Sequence, residues 1–155
     1  MAKAIVIYES KYGNTKLVAE TIAEGIREIS GVEAVLAELK EVDLEKLVEC
    51  DAILIGSPNH MGSATKGIRK FIDELGKINL EGKPAAVFDT YLAKDFEKAV
   101  KKMEKQIREK VPGLKLATPG LSIRVEGMKG PVTEGELNKC NEFGVKIATQ
   151  IKKQV

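Results

Sequence analysis

Tryptophan is absent from this sequence of 155 residues, histidine occurs once and cysteine twice, and three tyrosines and four phenylalanines supply the rest of its aromatic rings. Each scarcity closes a route. Cys50 and Cys140 stand 90 positions apart with no CxxC motif and no His/Cys cluster, so neither a disulfide framework nor a zinc site is indicated. Both thiols are expected to be buried or idle. No apolar run approaches the roughly 18 residues of a membrane span, and Met1 opens no secretory signal pattern. A soluble, cytoplasmic protein is expected. Charge of either sign is not in surplus: 25 Lys and Arg face 23 Asp and Glu, a formal net charge of +2, which lacks the concentrated positive field of a nucleic-acid binder. What remains is 43% hydrophobic residues in a length that suits one domain over residues 1–155, burying roughly 65 to 70% of its unfolded surface.

Apolar runs alternate with helical-period stretches from end to end. Ala4 to Tyr8, Ala52 to Gly56 and Pro84 to Phe88 are nearly continuous apolar runs, as expected of parallel strands covered on both faces. Val32 to Glu38 carries more charge and reads as an edge strand. A fifth strand is split into Leu114 to Ala117 and Leu121 to Val125, because Pro119 removes a ladder donor between them. Val18, Ala19, Ile22, Ala23, Ile26 and Ile29 form one helical stripe. Leu92, Phe96, Ala99, Val100, Met103 and Ile107 form a second, and Leu137, Cys140, Gly144, Ile147, Ala148 and Ile151 a third, opened by the cap-like Thr133 to Glu136. Short helices at Leu44 to Val48 and Lys66 to Leu75 complete the pattern. The fold class is therefore α/β: a doubly wound, five-stranded parallel sheet with helices on both faces. Ligands of such sheets sit beyond the carboxyl ends of the strands, where strand order reverses.

The loop after the first strand reads Glu9-Ser10-Lys11-Tyr12-Gly13-Asn14-Thr15 and runs straight into the first helix. Unpaired N–H groups and the positive end of the helix dipole suit a phosphate there, with Ser10, Asn14 and Thr15 as donors and Gly13 allowing close approach; an ordinary capped turn has the same composition. GxxxxGK[ST] and GxGxxG are both missing, which excludes the commonest nucleotide fingerprints. A receiver domain would need a phosphoacceptor carboxylate ending the third strand, where this chain has Ser57-Pro58.

After the third strand comes Gly56-Ser57-Pro58-Asn59-His60-Met61-Gly62-Ser63-Ala64-Thr65. Together with Ser10 to Thr15 and with Gly130-Pro131-Val132-Thr133-Glu134 before the last helix, this segment resembles flavodoxins and related domains such as those of flavodiiron proteins, along the whole chain. The resemblance implies strand order 2-1-3-4-5 and noncovalent FMN. It assigns the phosphate to Ser10, Lys11, Tyr12, Gly13, Asn14 and Thr15, with Tyr12 standing where many flavodoxins have threonine. It assigns the ring to Ser57, Pro58, Asn59, His60, Met61 and Gly62 and to the loop of Asp89, Thr90 and Tyr91. Gly62, or Met61 in the neighbouring register, would offer a carbonyl to N5 of the reduced ring. Tyr91 would stack on the outer face, the alternative being that it packs its loop onto the next helix. His60 is a solitary histidine, more often structural than catalytic.

The function so implied is an electron carrier between redox proteins, with an FMN-dependent NAD(P)H or quinone reductase as the rival from the enzyme class. Flavodoxins are commonly acidic and this chain is nearly balanced, so a weaker electrostatic penalty on fully reduced flavin is expected. Lys94, Lys98, Lys101, Lys102 and Lys105 place cations on or near the helix after the fourth strand.

Overall fold

The computed structural model describes residues 1–154. Strands β1 (Ala2–Tyr8), β2 (Val32–Glu38), β3 (Ala52–Pro58), β4 (Pro84–Tyr91), β5 (Lys115–Leu116) and β6 (Leu121–Arg124) alternate with helices α1 (Asn14–Arg27), α2 (Lys66–Leu75), α3 (Lys98–Lys110) and α4 (Glu136–Gln154). The sheet order is β2-β1-β3-β4-β5, and every strand pair is parallel. β5 and β6 share the fifth position: Pro84 and Ala85 pair with Lys115 and Leu116, while Phe88 to Tyr91 pair with Leu121 to Arg124. The interruption falls at Thr118-Pro119-Gly120, where proline has no N–H to donate.

Alternate residues of each central strand enter opposite cores, as the two-residue period of a strand requires. Ala4, Val6 and Leu54 pack with α1 and α4; Ile5, Ile7, Ile53 and Ile55 pack with α2 and α3. The stripes predicted for α1 and α4 are buried except at Ile29 and Leu137, which are partly buried, and Cys50 and Cys140 are both buried free thiols. Burial pushes the Cys140 thiol up to about 12, so it stays protonated near neutrality.

The short helix expected at Leu44 to Val48 is a 3-10 segment, Leu44–Glu49, opened by Asp43, whose side chain accepts from the Glu45 N–H at 3.1 Å. Two local expectations change. The second stripe is helical only from Lys98, because Ala93 and Glu97 adopt positive φ (58° and 61°) and wind residues 92–97 into a loop; Leu92 and Phe96 are consequently exposed. Thr133 does not cap α4 with its hydroxyl, which is buried without a hydrogen-bond partner; its carbonyl accepts from the Glu136 N–H at 3.1 Å.

Candidate functional site

The loops following β1, β3 and β4 meet at the carboxyl edge of the sheet. In the first, Ser10 Oγ accepts from the Gly13 N–H at 3.1 Å, and Gly13 takes φ +92°, a conformation that favours glycine. α1 then begins with no side-chain cap and no carboxylate in its first turn. Its first internal bond runs from the Leu17 N–H to the Gly13 carbonyl at 3.0 Å. The contrast with its neighbours is chemical: α2 is capped by Thr65 Oγ1, which accepts from the Ile68 N–H at 3.2 Å, and α3 by Asp89, which accepts from the Val100 N–H at 3.1 Å. Among the described residues, α1 alone of these three has no side-chain acceptor for the N–H groups of its first turn.

A fourth segment, residues 126–130, closes against this loop. Tyr12 Oη lies 4.0 Å from Met128 Sδ, and a Cβ on Gly130 would run into the Asn14 side-chain amide. The Lys11 and Lys129 ammonium groups stand 5.4 and 6.0 Å from the Tyr12 ring centroid, bringing two cations to the uncapped helix end.

The second loop is a tight turn. His60 and Ser63 exchange backbone hydrogen bonds of 2.6 and 3.1 Å around Met61 and Gly62, whose φ angles of 54° and 84° give both central residues the sign of a type I′ turn. Asn59 braces it: its Oδ1 accepts from the Gly62 N–H at 2.8 Å and its Nδ2 donates to the Asp95 carbonyl at 3.2 Å, tying the second loop to the third. Ser57 is fully buried, donating to the Pro58 carbonyl and accepting from the Thr65 N–H, each at 2.9 Å.

In the third loop, Thr90 Oγ1 meets Thr15 Oγ1 at 2.9 Å, joining β4 to α1. Tyr91 packs edge-on against Phe96, with centroids 5.3 Å apart and planes at 64°. Asp89 turns the other way. Its buried carboxyl accepts from Ser122 Oγ at 2.6 Å as well as from Val100, and Ser122 Oγ accepts from the Glu97 N–H at 2.9 Å. Burial pushes this carboxyl up to about 7, opposed by those two hydrogen bonds.

These loops enclose a cleft of about 410 Å³, within the roughly 300–1,000 Å³ range of small-molecule sites. Ser10, Lys11, Tyr12, Asn14, Thr15, Pro58, Asn59, His60, Met61, Thr90 and Tyr91 line it. Gly13, Ser57, Gly62 and Asp89 do not, and their bonds instead shape the loops and anchor α3. Thr65, Leu92, Asp95, Val125 and Met128 also line the cleft, beyond the residues that the sequence motifs point to. The Thr65 cap is legible as a hydroxyl before a helix, whereas Val125 and Met128 arrive through the return of the chain after β6, for which no motif exists. A more open hollow of about 610 Å³ lies elsewhere, between residues 39–45 and α2.

A family model described as a flavodoxin domain matches residues 5–153. A flavodoxin of Aquifex aeolicus (strain VF5) is 37% identical over 93 residues, which cover 58% of this chain and 50% of that protein. An NAD(P)H dehydrogenase (quinone) of Geobacter sulfurreducens is 31% identical over 112 residues, covering 54% and 55% respectively. The chain thus spans about half the length of the curated relatives it matches. Among solved structures, a flavodoxin from the domain Archaea superposes with a TM-score of 0.83 at 33% identity, covering 97% of this chain and 99% of that one.

Proposed function

This chain belongs to the flavodoxin domain family, and from that membership we propose that it binds FMN noncovalently and carries electrons between redox proteins. The observation that carries the proposal is the cleft at the carboxyl ends of β1, β3 and β4, into which the uncapped N-terminus of α1 opens. A monophosphate supplies the acceptor that this helix end lacks, from the N–H groups of its first turn and from Ser10, Asn14 and Thr15. Lys11 and Lys129 add positive charge at the same end. The apolar and aromatic walls of Tyr91, Pro58, Met61 and Val125 suit a flat ring. FMN, once bound, supplies one- and two-electron chemistry.

The chain's part is to hold, orient and shield. Asn59 fixes the 60–63 turn beside the third loop, so backbone groups of that turn are presented along one ring edge. Tyr91, backed by Phe96, excludes water from one side. Asp95 is the one carboxylate among the described lining residues, and its Oδ1 is 3.1 Å from Lys98 Nζ. A lining so poor in free negative charge supports a mild electrostatic penalty on the fully reduced, anionic cofactor.

Relatedness to a quinone dehydrogenase favours a second reading, an FMN-dependent reductase. Photoreduced, FMN-loaded protein mixed with succinylated cytochrome c in one arm and with NAD(P)H plus a quinone in another separates the two. A carrier is expected to reduce the succinylated cytochrome c rapidly and to oxidise NAD(P)H slowly. Sustained NAD(P)H–quinone turnover at roughly 1 s⁻¹ or more, the lower end of ordinary enzymes, would establish the reductase instead.

A further inference from the structure

Exposed apolar side chains are unremarkable when scattered. Here they gather. Met61 (92% exposed), Met128 (71%), Phe96 (55%) and Tyr12 (41%) come from four separate loops, and all lie at or beside the mouth of one cleft. Lysines flank this apolar cluster on both sides. Lys11 and Lys129 stand over Tyr12. Across the cleft, Lys102 Nζ donates to Ser63 Oγ at 3.1 Å and lies, with the Lys98 side chain, within 4 Å of where a Cβ on Gly62 would stand.

The acidic groups of these loops offset part of that field. Asp95 and Glu97 are engaged by Lys98 and Lys101 at 3.1 and 3.6 Å, and Glu9 accepts from Thr65 Oγ1. Lys11, Lys102 and Lys129 have no carboxylate partner among the described residues. Since the whole chain carries only +2, the cationic mouth is a local feature rather than a consequence of bulk charge. Apolar centre and charged rim are the anatomy of a transient protein interface, in which rim charges set association rate and partner choice.

We propose that this face docks an electron-transfer protein whose own redox group is ringed by acidic residues. Lys11, Lys129 and Lys102 meet its carboxylates, while Met61, Met128 and Phe96 form the contact, the methionines adapting to its relief. The proposal rests on the cleft being the mouth of the flavin site.

The test uses two probes of one fold and opposite charge: cytochrome c, which is basic, and succinylated cytochrome c, whose lysines have become carboxylates. Association rates are measured by surface plasmon resonance with FMN-loaded and FMN-free protein. At low salt the succinylated probe is expected to associate at least about tenfold faster, with the advantage shrinking toward physiological ionic strength. The variant Lys102→Glu and the double variant Lys11→Glu/Lys129→Glu, checked for fold by circular dichroism, should each reduce the preference severalfold. Lys152→Glu/Lys153→Glu should not, because Lys152 lies against Gly31 at the opposite end of the sheet. Faster association of untreated cytochrome c, or equal loss in the Lys152/Lys153 pair, overturns the docking proposal. Failure to take up FMN with the lysine-dependent preference intact would instead strike the cofactor reading and leave the docking face standing.

Discussion

Replacing Gly144 with alanine is expected to cost about 1–2 kcal/mol of folding stability, and replacing it with valine to leave the chain unfolded at 37 °C. α1 and α4 cross backbone to backbone at Gly25 and Gly144. A Cβ on Gly144 would run into the Ile22 carbonyl, 2.9 Å from the Ile26 nitrogen and 3.1 Å from the Gly25 Cα. None of these atoms belongs to a flexible side chain, so the helices must separate. Separation loosens Ile22, Ile26, Cys140 and Ile147, all nearly or fully buried, and forfeits dispersion contacts along the whole seam. Overpacking costs typically about 1–3 kcal/mol and occasionally more, while alanine recovers up to about 1 kcal/mol of helix propensity, so the packing loss outweighs the gain. Valine adds two methyl groups and β-branching against a total stability of about 5–15 kcal/mol. Urea denaturation of wild type, Gly144→Ala and the loop control Gly127→Ala checks this. A Gly144→Ala midpoint equal to that of wild type would mean the two helices are not held at this distance in solution.

Asp89→Asn is expected to flatten the decline of stability with rising pH. Burial raises the carboxyl of the folded chain to about 7, whereas in the unfolded chain it titrates near about 4. Between those values the folded state holds a proton that the unfolded state has released, so stability is greatest below about pH 4 and is lost as pH climbs toward 7. A difference of about three in pKa between the folded and unfolded chain corresponds to on the order of 4 kcal/mol. Asparagine retains an acceptor for the Val100 N–H and cannot ionise, and its amide nitrogen takes the place of the oxygen that accepts from Ser122, so the serine hydroxyl turns to accept instead. It should match wild type near pH 4.5 and exceed it by a few kcal/mol at pH 8. Asp89→Ala, in contrast, leaves the Val100 N–H and the Ser122 hydroxyl without their partner and should destabilise by about 2–3 kcal/mol even at low pH. Denaturant titrations from pH 4.5 to 8 isolate Asp89 as the difference between curves, and parallel curves for wild type and Asp89→Asn would contradict the assignment. The consequence for the site is indirect: Asp89 anchors α3, and α3 carries the 92–97 loop that forms one wall of the cleft.

Strand positions were readable because both faces of β1, β3 and β4 are largely buried and their central residues form nearly continuous apolar runs, a pattern that survives in one sequence. The break at Pro119 was readable for an equally local reason. Leu92 and Phe96 misled because their spacing continues the α3 stripe, yet Phe96 turns back onto Tyr91, a tertiary contact with no sequence period. Asp89 had the right address and a different task. Its place at the end of β4 suggested the cleft, whereas its side chain alternates to the far side and caps α3, a geometry fixed only once β4 and β6 pair. Met128 and Val125 were illegible because their approach depends on how residues 126–131 fold back on Tyr12 and Asn14.

Whether the open end of α1 recognises a phosphate is decided by parallel calorimetric titrations of flavin-free protein with FMN and with riboflavin, which differ in that group alone. Charge-assisted hydrogen bonds contribute about 1.5–3 kcal/mol each, so two or more of them predict one-to-one FMN binding at least about a hundredfold tighter than riboflavin. Equal affinity for the two flavins, or no heat with either, would contradict it.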